Sequence, residues 1–123
     1  MSILVETGVD ADRRRQLRDF LMYCRARLQP SEVGLPQTPR RRVHGLRRDE
    51  VAELIGVSAD WYRWFESGRD VRVSPQLVER LARALRMTAP EEVAMYALAL
   101  PELYRAEARA ADYSQTGLEA AAV

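Results

Sequence analysis

At 123 residues and 47% hydrophobic content the chain is sized for one domain with tails, and few β-branched residues beyond scattered valines point to an all-α fold. No run of about 18 apolar residues is present, which excludes a transmembrane helix. The opening MSILVETGVDAD lacks the basic-then-apolar pattern of a signal peptide. One cysteine, Cys24, excludes an internal disulfide framework and a Cys-rich zinc site, so the expected location is the cytoplasm. The net charge is only +1, but residues 13–48 carry eleven arginines against two acids, and residues 90–123 carry six acids against two arginines. A basic half beside acidic ends suits a polyanionic partner.

In chain order, residues 1–12 read as a loose acidic arm. A helix is expected from Asp12, a possible cap, because Leu17, Phe20, Leu21, Cys24 and Leu28 recur at helical spacing. Within that stripe Cys24 reads as a small buried apolar residue. Arg13, Arg14, Arg15, Arg18, Arg25 and Arg27 decorate the helix. It ends at Gln29-Pro30, since the residue before a proline avoids the α region. The stretch from Ser31 to Gly45, broken by Gly34, Pro36, Pro39 and Gly45, predicts an irregular connection with one short turn at Ser31, Glu32 and Val33. It closes in Arg40, Arg41, Arg42, Val43 and His44. That arginine run has two readings: a solvated loop, or a clamp on nucleic-acid phosphates or a minor groove. His44, the single histidine, has no nearby Cys or His with which to hold a metal.

Residues 46–69 carry the most specific pattern. Leu46, Val51, Leu54 and Ile55 line one face of a short helix, and Ala52 supplies the small side chain that two crossing helices need. Gly56 can take the positive φ that ends a helix. Val57 fills the corner and Ser58 stands where a cap acceptor belongs. A second helix then runs from Ser58 to Ser67 and closes at Gly68. Helix, Gly-containing turn and helix make a helix-turn-helix, whose second helix enters the DNA major groove. The plain alternative is an α-hairpin.

Beyond Gly68, Ser74 caps and Pro75 opens a fourth helix with Leu77, Val78, Leu81, Ala82 and Leu85 on its apolar face. Thr88 caps a fifth, in which Glu91 and Glu92 suit the N-terminal dipole and Val93, Tyr96, Ala97 and Leu100 continue the pattern. A short helix and a frayed tail are expected over 101–123.

The stretch from about Arg15 to Leu100 resembles the XRE-type, phage-repressor-like helix-turn-helix domain, and more narrowly the N-terminal domain of MmyB-like actinobacterial regulators. The resemblance rests on Arg25, Arg27 and Leu28, on Pro30 to Pro36, on Arg40 to Ala52, on Gly56 to Tyr62, and on Glu66 to Asp70. It implies a compact five-helix bundle over 13–100, with the helix-turn-helix at 46–67. It makes 58–67 the recognition helix, with Ala59, Asp60, Arg63 and Trp64 facing bases. Arg63 suits guanine O6 and N7; Asp60 suits cytosine N4 or serves as a helix-start acid. Trp64 departs from the smaller or basic residue of the family pattern. Tyr62 and Phe65 are expected in the core and Trp61 at the helix edge. Arg47, Arg48 and Arg69 fall at phosphate-contact positions, joined by Arg40, Arg41 and Arg42. Arg25 and Glu66 are the implied structural ion pair.

MmyB-like regulators continue into a ligand-binding domain of PAS-like fold; the residues after Leu100 have room only for a helix and tail, so ligand sensing is not carried over. The expected partners are double-stranded DNA at the bacterial nucleoid and a second copy of the chain. The apolar residues of the last helices (Met95, Tyr96, Leu98, Leu103, Tyr104) would form the contact between copies. The competing reading is an antitoxin-like or adaptor module binding a protein through those helices. An enzyme is disfavoured: there is no Gly-rich phosphate loop and no Ser–His–acid set. No cofactor, metal or membrane is implied.

Overall fold

Five α-helices make up the fold in the computed structural model, which describes residues 8–39, 41–42 and 44–102. Among these residues they are α1 (Gly8–Ala26), α2 (Arg48–Ile55), α3 (Ala59–Glu66), α4 (Pro75–Ala84) and α5 (Ala89–Ala99), with one 3-10 turn at Pro30–Val33. No strand occurs among the described residues. The all-α, five-helix expectation holds.

The acidic arm needs correction where it is described, because α1 begins at Gly8 rather than near Asp12. Nothing from Val9 to Asp12 breaks a helix, and acids in the first turns are favoured by the dipole. Leu17, Leu21 and Cys24, followed by Leu28, form the stripe by which α1 enters the core, none more than 6% exposed. Burial pushes the Cys24 thiol up to about 11, so it stays protonated and inert at neutral pH. Pro30 then holds Gln29 extended, and the 3-10 turn stops on Gly34 at φ 79°.

The irregular connection returns to the end of α1 and is fastened there. The Leu46 amide donates to the Arg25 carbonyl at 2.9 Å, and Arg25 Nη1 donates back to the Leu46 carbonyl at 2.9 Å. A Cβ on Gly45 would fall 2.3 Å from the Arg25 carbonyl oxygen, so only glycine permits this approach. Leu46 is thereby sunk in the core beside Val51 and Ile55 of α2.

The two later helices start on matched caps. Ser74 Oγ accepts the Leu77 amide at 3.1 Å. Thr88 and Glu91 exchange hydrogen bonds as a capping box. Leu77, Val78, Leu81, Leu85 and Met95 complete the core, each fully buried aliphatic side chain contributing about 1.5–3 kcal/mol. Arg27, one residue past the end of α1, grips Glu91 with both terminal guanidinium nitrogens at 2.6 and 2.7 Å, tying the end of the first helix to the start of the last. Met95 is completely buried, which removes it from the expected contact between copies. Leu103 and Tyr104 lie outside the described residues, as does the tail that follows them.

Candidate nucleic-acid interface

The corner between α2 and α3 is built from three residues, each with a separate task. Gly56 takes φ 76°, and the Val57 amide closes on the Ala52 carbonyl at 3.0 Å. Ser58 Oγ accepts the Trp61 amide at 3.0 Å and caps α3. Arg80 reaches across from α4 and donates to the Ile55 carbonyl at 3.0 Å, satisfying the end of α2. Arg80 lies on the outer side of its own helix, so no periodic signal could have singled it out. Ala52, 1% exposed, keeps the crossing close.

The two sides of α3 differ sharply. Tyr62, Phe65 and Glu66 are buried, the last only 2% exposed. Ala59, Asp60, Arg63, Trp64 and Ser67 are exposed. Trp61 sits half-buried between these sides, stacked on Phe65 with ring centres 5.3 Å apart. On the outer side Arg63 Nη2 donates to Asp60 Oδ1 at 2.6 Å. Arg69 places its guanidinium 5.5 Å from the centre of the Trp64 ring, a cation–π contact.

On the inner side the structure brings Arg25 and Glu66 together. Arg25 Nε and Nη2 donate to the two Glu66 oxygens at 2.9 and 2.7 Å, a bidentate pair. With the Leu46 contact, Arg25 joins α1, the loop before α2 and the last turn of α3. Arg48, half-exposed, adds a longer contact at 3.5 Å from Glu66.

The phosphate set needs one correction. The Arg41 side chain is only 7% exposed: it donates to both oxygens of Glu50, one at 2.8 Å, and to the Gly45 carbonyl at 2.7 Å. The Arg41 guanidinium holds the Glu50 carboxyl below the usual carboxylate range, helped by the Arg47 amide at 2.8 Å. A guanidinium with three such acceptors has little left for a phosphate. Arg41 therefore locks the loop onto the start of α2. Arg40 lies outside the described residues. Arg42, Arg47, Arg48 and Arg69 are exposed, with Arg47 Nε 3.6 Å from Asp49. The loop carrying Arg69 turns at Gly68, φ 86°, where a Cβ would fall 2.8 Å from the Arg14 side chain.

Anchored inner side, capped corner and exposed arginine-flanked outer side together are the build of a helix-turn-helix. A family model described as a helix-turn-helix domain matches residues 14–95. The chain belongs to this helix-turn-helix family. No curated protein and no solved structure matches it. Membership makes DNA the partner class and the outer side of α3 the surface to examine. Among the described residues no helix is long and apolar enough to cross a membrane, and no group of three or more His, Cys, Asp or Glu could hold a metal ion.

Proposed function

We propose that the chain is a sequence-specific, double-stranded DNA-binding transcriptional regulator of XRE type, nearest to MmyB-like regulators in motif, with α3 lying in the major groove. The observation that carries this reading is the sidedness of α3. Its inner residues are fixed by burial and by the Arg25–Glu66 pair, so its outer residues are presented on a rigid support. In this reading Arg63 pairs with guanine O6 and N7, Asp60 accepts from cytosine N4, and Ala59 and Trp64 give apolar contact to a neighbouring thymine methyl. Arg42, Arg47, Arg48 and Arg69 neutralise phosphates and set the register. Two copies would bind half-sites about 34–36 Å apart.

Selection from a randomised duplex library at physiological salt, followed by titration against salt, tests this reading. An enriched motif bound well above bulk DNA is the expected result. Arg63→Ala should then cost about 1–3 kcal/mol at its base pair. Arg47→Ala, Arg48→Ala and Arg69→Ala should weaken binding to every sequence, each reducing the salt slope by about one. Enrichment of nothing would refute sequence-specific regulation.

A further inference from the structure

We propose that Asp60 is a specificity-determining residue that acts as a charge latch on Arg63, suppressing binding to DNA that offers the pair no matching base edges. This inference rests on the proposed function and adds the control of its reading residue. The observation is the placement of the pair: Arg63 Nη2 meets Asp60 Oδ1 at 2.6 Å, with side chains 56% and 64% exposed on the outer side of α3. The other exposed residues of α3 and its C-cap, Ala59, Trp64 and Ser67, carry no charge, and the exposed Arg69 lies over the Trp64 ring. Asp60 is thus a carboxylate set in the middle of a surface otherwise suited to a polyanion.

Two physical consequences follow. The floor of the major groove is rich in acceptors, and only the cytosine N4 and adenine N6 amines donate there. A carboxylate pressed into that groove is repelled by the phosphates, and once Arg63 leaves it for a base it is unpaired unless one of those amines faces it. While the latch is closed, Arg63 is neutralised and reads nothing. An exposed pair at this spacing is cheap to open, a factor of about two. The barrier to binding wrong DNA therefore lies in the stranded carboxylate, not in the ion pair itself.

Where a guanine faces Arg63 and an amine faces Asp60, both groups are satisfied at once. Residues three apart on a helix lie about 4.5 Å apart along its axis, comparable to the 3.4 Å step between stacked base pairs. The pair can then read one G·C pair or two adjacent pairs as a unit. Opening is rewarded only when both partners are present.

The test uses the whole chain and Asp60→Asn, which removes the charge, keeps the shape and leaves a residue tolerated near a helix start. Affinity is measured by fluorescence anisotropy against a mixed-sequence duplex and against the duplex enriched by wild-type selection, over a range of salt. For the mixed duplex, the expected result is binding about tenfold tighter, with a salt slope steeper by about one unit. For the selected duplex, little gain is expected, so the specific-to-mixed ratio falls about tenfold. In an Arg63→Ala background Asp60→Asn should still tighten binding to the mixed duplex, because the carboxylate is stranded there too. It should move the ratio less than it does beside Arg63, since only one of the two partners remains to be lost. An equal change in both backgrounds overturns the coupling. A wild type that discriminates while Asp60→Asn keeps the ratio overturns the latch alone. A wild type with no preferred sequence overturns the reading of the surface and the latch with it.

Discussion

Glu66 and Asp60 stand on opposite sides of one short helix, each paired with an arginine, and the difference between the two pairs is water. Glu66 is 3% exposed at its side chain and Arg25 12%; Asp60 and Arg63 are more than half exposed. In the dry pair, taking away Glu66 leaves the Arg25 guanidinium only the neutral Leu46 carbonyl, and taking away Arg25 leaves Glu66 only the longer Arg48 contact. In the wet pair solvent replaces a lost partner at almost no cost. The same chemistry therefore holds the fold on one side of α3 and leaves the other side open to exchange partners. A surface meant to trade an intramolecular contact for a base edge has to be cheap to open, and a support beneath it has to be expensive.

The largest expected effect comes from breaking the dry side. Glu66→Ala strands the Arg25 guanidinium among α1, α3 and the Leu46 loop, and should cost about 3–5 kcal/mol in urea unfolding. Replacing both partners with apolar residues, Arg25→Met with Glu66→Leu, should recover most of that loss. If the double variant is no better than Glu66→Ala, the pair supplies more than charge balance.

Next comes Arg41, which on its contacts belongs with the dry pairs. Arg41→Ala should lower the urea midpoint clearly and leave the salt slope of DNA binding unchanged. Arg42→Ala, one residue along and exposed, should do the reverse. A salt slope that falls with Arg41→Ala would return Arg41 to the phosphate contacts.

These two arginines also mark how far the sequence could be read. Where a signal is local, it was legible: Ser58, Ser74 and Thr88 each accept the amide three residues on, and Gly56 ends α2 in the left-handed region. The stripes on α1 and α4 were legible because a period of 3–4 residues records burial directly. Arg40, Arg41 and Arg42 look identical in sequence. What separates Arg41 is Glu50, nine residues on across an irregular loop, a distance no periodicity spans. Arg27 and Glu91 meet across 64 residues and left no trace either. Met95 reads as surface in the sequence because α5 is apolar nearly all round, so its pattern does not say which face is inside.

A third prediction concerns acid. The Arg27 guanidinium and the Thr88 amide pull the Glu91 carboxyl down to about 2, below its ordinary value of 4.5. A depressed carboxyl contributes stability that is complete above its unfolded pKa and lost as pH falls through its folded one. Thermal unfolding should therefore show a loss of stability between about pH 4.5 and 2, and Glu91→Gln should flatten that part of the curve. An unchanged slope in Glu91→Gln would assign the acid sensitivity to other carboxylates, Glu50 first among them, since Arg41 lowers it too.

The smallest expected effect is the sharpest check on the comparison. Asp60→Asn should change folding stability by less than about 0.5 kcal/mol, because an exposed pair three residues apart gives back to solvent nearly all it takes. Asparagine at this position also keeps a polar side chain near the amides of the first turn. A loss approaching that of Glu66→Ala would mean the outer pair is structural and unavailable for exchange. A loss within error, together with altered DNA affinity, separates the two sides of α3 by function: burial fixes the helix through Glu66, and hydration leaves Asp60 and Arg63 able to change partners.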